Sequence, residues 1–272
     1  MLADLHTHST YSDGKYTPKQ LVEAAVANNI GFLALTDHDS WNGVTEALNA
    51  AEAYKDRLKV IPGVELGTQL QENSIHIIGY YIDMQYQPLY EKMNEMRFAR
   101  ERRLYKMLDK LHQLGYDITV EACDPQNRAV GRPHVAKALV AAGYFSGGQG
   151  GFSFFLCPAY VPQPKLLPAE AIKLLHQAGG LAVLAHPSEI GDQTLVESLL
   201  QEYNFDAIEV YHPSADKTEQ QYWLQLAKKY RLMVSGGSDF HGIPDRFPAE
   251  LGIFKVDAKD IRDIIEYRQL HN

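Results

Sequence analysis

Seven short apolar segments, each carrying or running into a histidine, aspartate or glutamate, set the strongest limit on what this chain can become. In order they are Leu2 to Leu5, FLALT, KVIPGVELG, SIHIIGYY, GLAVLAHP, DAIEVYHP and LMVSGGSDFHG. Helical patterns lie between them. After the first segment, Thr17 is an N-cap, Pro18 sits at N1 and Gln20 completes a capping box, with Leu21, Val22, Ala25 and Val26 as the apolar face. Gly31 stops that helix, and a second covers roughly residues 43 to 54. Alternation of strand and helix predicts a parallel sheet with helical crossovers, and seven repeats predict a parallel α/β barrel.

The rhythm breaks after Asp83. A helical pattern runs from about residue 89 to 114, with Met93, Met96, Leu104, Met107, Leu111 and Leu114 near heptad spacing. A further helix opens at Arg132-Pro133, and SGGQGG with PAYVPQPKLLP marks a flexible or extended return. The prediction is a first barrel part over 1–82, an inserted helical subdomain over 83–175 and a second barrel part over 176–272. The glycine cluster from Gly147 to Gly151 lacks the strand-to-helix context of a phosphate loop.

At 272 residues the chain is long enough to bury about three quarters of its unfolded surface. A net charge of −8 argues against a protein whose whole surface attracts nucleic acid. The charge is unevenly spread: residues 83 to 175 hold twelve Lys/Arg against nine Asp/Glu, and the remainder fourteen against twenty-five. Cys123 and Cys157 stand in no metal-like spacing, and there is neither a basic apolar leader nor a run of eighteen apolar residues. The expectation is a cytoplasmic protein with no membrane contact and no obligate protein partner.

The polar residues fall at one end of the predicted strands, the rim where barrel enzymes place their chemistry. His6 and His8 end strand one and Asp13 follows in the loop. His38 follows strand two, Glu65 closes strand three, His186 follows strand five, and Asp239 and His241 follow strand seven. His76 lies within strand four, facing away from Ile75 and Ile77. Taken singly, His76 reads as a satisfied buried histidine and Asp13, before Gly14, as a turn residue. Taken together, nine such residues are poor core filling, because each buried unpaired polar group costs about 1–3 kcal/mol. Imidazoles and carboxylates without thiolate suit zinc, manganese or iron. A shared Glu65 can bridge two ions, activate water and clamp the oxygens of an in-line displacement, most naturally at a phosphate ester.

The motifs DLHTHSTYSDG, LTDHD, PGVELG, the His76 strand, LAHP and GSDFHG, in this order, closely resemble the polymerase-and-histidinol-phosphatase (PHP) family. That resemblance implies a seven-stranded (β/α)7 distorted TIM-like barrel and three divalent metal ions. By carry-over, His6, His8, Glu65 and Asp239 hold one; Glu65, His76 and His186 a second; Asp13, His38 and His241 a third. Glu65, Asp13, His38 and His241 would then serve catalysis by a metal-bridging hydroxide. His212, at the rim after strand six, would meet phosphate or protonate the leaving alcohol.

Within the family, RFARERR, VGRPHVAKAL and PAYVP resemble the branch that removes the 3′-phosphate of nucleoside 3′,5′-bisphosphates, with relatives acting on short RNA as 5′ to 3′ exoribonucleases. This implies a nucleotide or short single-stranded RNA as substrate, with Arg132 and His134 and one or more of Arg100, Arg102 and Arg103 as phosphate ligands. The alternatives are a phosphatase for another small phosphomonoester such as histidinol phosphate, and a non-catalytic PHP module.

Overall fold

A computed structural model describes residues 1–123, 132–144, 161, 166–244 and 246–270, without the side chains of 132–134 and 268–270. Eight strands form one sheet: β1 (Leu2–Asp4), β2 (Ile30–Leu35), β3 (Lys59–Leu70), β4 (Asn73–Tyr80), β5 (Leu181–Leu184), β6 (Ala207–Tyr211), β7 (Met233–Gly236) and β8 (Val256–Asp257). Their order is β7-β6-β5-β4-β3-β2-β1-β8. The helix predicted after the first segment is Pro18–Ala27, and its capping box is formed as expected: Thr17 Oγ1 accepts from the Gln20 amide and Gln20 Oε1 from the Thr17 amide.

Two expectations are corrected. The sheet has eight strands rather than seven, and it is not wholly parallel. β4 runs antiparallel to both β3 and β5, because only Gln71 and Glu72 separate β3 from β4, whereas a parallel return needs a dozen residues or more. β8 pairs antiparallel with β1 through Leu2↔Asp257 and Ala3↔Val256. The chain of β1 reaches β7 only further on, where the Leu5 amide donates to Gly236 O at 3.2 Å and Thr7 bridges Phe240. The free edge at Leu2 and Ala3 is what the two residues of β8 cover.

Those β1–β7 contacts nearly close the sheet into a barrel. Tyr80 of β4 reaches across it: its buried hydroxyl donates to Leu5 O at 2.8 Å and lies 2.9 Å from Ser235 Oγ. Where β7 meets β1 the chains are too close for a side chain. A Cβ at Gly237 would stand 2.3 Å from the His6 amide nitrogen, so glycine is required there. The core around these contacts is small and apolar, including Ala3, Leu5, Ala34, Ile78, Val183, Ala185 and Ala207.

The chain divides into two compact units, Met1–Tyr90 with Leu166–Asn272, and Glu91–Lys165. The first holds the barrel. The second contains most of the helix Gln87–Gln113 together with Val120–Cys123 and Arg132–Ala141, packed through Leu104, Met107, Leu111, Cys123, Val135 and Leu139. Among the described residues no helix is long and apolar enough to cross a membrane.

Tyr80→Phe removes a hydroxyl that ties β4 to β1 and β7 and takes a donor from the buried Leu5 carbonyl. It is expected to cost about 1–3 kcal/mol in urea denaturation. An unchanged midpoint would show that the barrel does not depend on this crossing.

Candidate metal centre

The strand geometry delivers side chains to one mouth. Beyond Asp4 the first strand stays extended, held on both sides: the His8 amide donates to Phe240 O and the Thr36 amide to Thr7 O, both at 2.9 Å. His6 and His8, two residues apart, therefore project together. Glu65 lies in the middle of β3 rather than at its end, since the strand continues to Leu70 as one arm of the hairpin. In β4, His76 stands opposite Gly67, and because β4 is antiparallel its N-terminal half is the part that reaches the mouth. His186 and Asp239 have φ of 26° and 51°. Backbone in this left-handed region costs of order 1–3 kcal/mol for a residue with a Cβ and clusters at functional sites.

The fully buried Glu65 is the hub. Its Oε1 lies 2.8 Å from His76 Nδ1 and 3.1 Å from His186 Nε2; its Oε2 lies 2.9 Å from His38 Nδ1, 3.3 Å from His8 Nε2 and 3.4 Å from His6 Nε2. Asp239 Oδ1 lies 3.0 Å from His8 Nε2 and 3.4 Å from His6 Nε2, and Asp13 Oδ1 is 3.2 Å from His241 Nε2. Among the described residues four sets have ligand atoms all within 4.8 Å of one another: His6, His8, Glu65 and Asp239; His38, Glu65 and His76; His8, Asp13, His38 and His241; and Glu189, His212 and Asp239. The structure thus brings all nine residues singled out in the sequence into one constellation, with His186 joined to it through Glu65.

The tautomers test whether cations fit. His6 Nδ1 lies 3.0 Å from Glu209 Oε1, and His241 Nδ1 lies 2.7 Å from Asp239 O. Both partners only accept, so each Nδ1 carries a hydrogen and each Nε2 of the neutral ring presents a lone pair. Those Nε2 atoms face carboxylate oxygens. Accordingly His6 Nε2, His8 Nε2, His241 Nε2, Asp13 Oδ1 and Glu65 Oε2 are buried with no hydrogen-bond partner among the described residues. Lone pairs converging on lone pairs are what divalent cations resolve, and the donor set of nitrogen and oxygen without sulfur suits them.

Without cations, protons take that place. Burial pushes the Glu65 carboxyl up, but the imidazoles of His38, His76 and His6 outweigh it and hold it well below the usual carboxylate range. Asp239 and Asp13 are lowered for the same reason, by His6, His8 and His241 around the first and by His38 and His241 beside the second. In return, burial lowers His8 but the adjacent Asp239 and Glu65 carboxylates outweigh it, raising it to about 10. His76 and His241 are lowered, chiefly by burial.

Supporting groups that the sequence reading passed over complete the shell. Glu209 of β6 is fully buried between Ile208 and Val210; it orients His6 and accepts the His186 amide at 2.7 Å. Asp4 accepts from the Ser238 amide at 2.8 Å and Ser238 Oγ at 2.6 Å, and burial raises its carboxyl to about 6. Asp37 accepts from Ser9 and Ser12 and so fastens the loop that carries Asp13. Arg246 donates to Asp239 Oδ2. The signal for Glu209 was present: an acid flanked by apolar residues in a strand covered on both faces has to be buried and partnered.

His212 lies at the mouth as well, with its ring 5.4 Å from that of His186 and its ligand atom grouped with those of Glu189 and Asp239. The candidate phosphate ligands lie in the second unit. Arg103 is buried there, donating from Nε to Val161 O at 2.6 Å, while Arg100 is half-buried and Arg102 exposed. The side chains of Arg132 and His134 lie outside the described residues.

Residues 4–149 match the PHP domain. The chain is 33% identical over 253 residues to the 5′-3′ exoribonuclease Rnm of Escherichia coli, covering 89% of this chain and 85% of that one. The chain belongs to the PHP domain family. Another relative, the 3′,5′-nucleoside bisphosphate phosphatase of Chromobacterium violaceum, is 32% identical over 249 residues, covering 88% of this chain and 86% of that one. A crystal structure from Bifidobacterium adolescentis, classed as a metal-dependent phosphoesterase, superposes with a TM-score of 0.83 at 29% identity over 96% of this chain and 94% of that one. The protein is a metal-dependent hydrolase of phosphate esters.

Because a cation must displace the proton that His8 retains up to about pH 10, metal binding to this PHP site is expected to release protons near neutral pH. Apparent affinity should rise with pH, up to about tenfold per unit for each proton displaced. Calorimetry in buffers of different ionisation enthalpy reads this directly, and buffer-independent heats would contradict it. Glu209→Gln should weaken metal binding by about 10–100-fold, the usual loss when a group orienting a ligand is changed.

Proposed function

We propose that the protein removes the 3′-phosphate from nucleoside 3′,5′-bisphosphates and degrades short 5′-phosphorylated RNA, using three divalent ions drawn from manganese, zinc and iron. The observation that carries the reading is the buried nest around Glu65, where His6 Nε2, His8 Nε2, His241 Nε2, Asp13 Oδ1 and Glu65 Oε2 converge with no hydrogen-bond partner among the described residues. His6, His8, Glu65 and Asp239 would hold one ion, Glu65, His76 and His186 the second, and Asp13, His38 and His241 the third. Bound there, divalent ions neutralise phosphoryl charge and make water nucleophilic near neutral pH. The substrate class follows the names of the E. coli and C. violaceum relatives.

The chain's own residues supply orientation and a donor. Glu209 fixes the His6 ring, the Asp239 carbonyl fixes His241, and Asp37 anchors the Asp13 loop, so the nest is organised before substrate arrives. His212 has a defined tautomer: the Ser214 amide donates to its Nδ1 at 3.1 Å, and a backbone N–H can only donate. Neutral His212 therefore carries its hydrogen on Nε2. That nitrogen is buried with no partner among the described residues, and burial keeps the ring's pKa below its ordinary value. In this reading neutral His212 donates a hydrogen bond from Nε2 to the departing sugar oxygen as the P–O bond breaks, and the oxygen takes its proton from solvent.

His212→Asn is expected to lower kcat for adenosine 3′,5′-bisphosphate by about 10²–10⁴-fold with bound metal unchanged. A loss confined to KM would remove His212 from the leaving-group role. Assayed side by side, the bisphosphate should be turned over far faster than histidinol phosphate, with inorganic phosphate and AMP as products; the reverse preference would contradict the assignment.

A further inference from the structure

The segment after His241 carries a pair that the mechanism above does not use. Arg246 is fixed at the backbone by its amide, which donates to Ile243 O at 3.0 Å, and its guanidinium donates to Asp239 Oδ2. The opposite oxygen of that carboxylate, Oδ1, is the one facing His6 and His8. Arg246 therefore touches the outer side of the cluster. Its side chain remains 41% exposed, and the fork's other donors have no partner among the described residues. An arginine so placed offers a planar pair of N–H groups to a phosphate oxygen.

The next residue is Phe247, with its Cα about 3.8 Å further along the chain. It is 61% exposed, more than any other described large apolar side chain except Met1. A lone exposed aromatic needs no explanation. This one adjoins an arginine in contact with a candidate ligand carboxylate, and an uncovered ring beside a basic side chain is an arrangement that can stack a nucleobase.

We propose that Arg246 and Phe247 form the nucleotide-reading element of the site, Arg246 taking a phosphate oxygen and Phe247 stacking on the base. The inference deepens the proposed function and rests on its premise that the substrate carries a base. It assigns base recognition to a short segment of this chain next to the metal centre, and the stacking is indifferent to base identity because every base has a π-face.

The test measures affinity rather than turnover, using the full-length protein reconstituted with manganese. AMP and ribose 5-phosphate share a sugar 5-phosphate and differ by the base. The native protein should bind AMP more tightly, and Phe247→Ala should shrink that preference about tenfold while Phe247→Trp restores it. Arg246→Ala should weaken both ligands and inorganic phosphate alike, with Arg246→Lys recovering part of the loss. Thermal midpoints and metal content identify any variant that has simply unfolded. The proposal is overturned if Phe247→Ala weakens AMP and ribose 5-phosphate equally, or if Arg246→Ala changes bound metal while phosphate affinity stays the same. Failure of the native protein to hydrolyse a bisphosphate would contradict the proposed function alone and leave this affinity comparison standing.

Discussion

A single carboxylate, Glu65, sits fully out of solvent with the ring nitrogens of His6, His8, His38, His76 and His186 all within 3.4 Å of its two oxygens. Burying an anion is tolerable only when positive charge is supplied close by. The rest of the barrel can be read as the means of gathering, around that carboxylate, rings able to hold cations or protons against it. β1 brings two histidines, the turn after β2 a third, and the hairpin partner β4 a fourth. His186 arrives on a left-handed backbone just after β5. Deleting the carboxylate would leave the imidazoles crowded against one another; deleting the imidazoles would leave a bare buried charge. The polar centre and the barrel walls therefore specify each other.

The orientation of the rings is set one layer out. Glu209 and the Asp239 carbonyl fix which nitrogen of His6 and His241 carries hydrogen, and Asp4 and Asp37 tie the strand ends that carry the candidate ligands. This layer is built from acids on buried strands and turns, with serines as their donors. Such outer partners hold ligands to fractions of an ångström and govern how basic they are.

Much of this was legible in the sequence because the nine inner residues sit at recurring places, at or just beyond apolar strand segments. The alternation of strand and helix also gave the barrel. What escaped has physical causes. The strand β8 is two residues long and exists only to cover the Leu2–Ala3 edge, so no periodicity announces it. The reversed direction of β4 was written in the two residues between Leu70 and Asn73, too few for a crossover. Glu209 was overlooked because a strand reading AIEVY resembles ordinary alternation, although Ile208 and Val210 are as buried as the glutamate between them. Arg246 could not be placed from sequence, since its contact with Asp239 depends on how the loop after His241 folds back.

The central claim is that cations held around Glu65 carry the chemistry. Stepwise reconstitution of metal-free protein tests it most directly, with bound metal counted by elemental analysis at each step alongside phosphate released from adenosine 3′,5′-bisphosphate. The account predicts no release without metal, activity that appears only as sites fill, and saturation at three ions per chain. Full turnover by protein carrying no stoichiometric metal would contradict it.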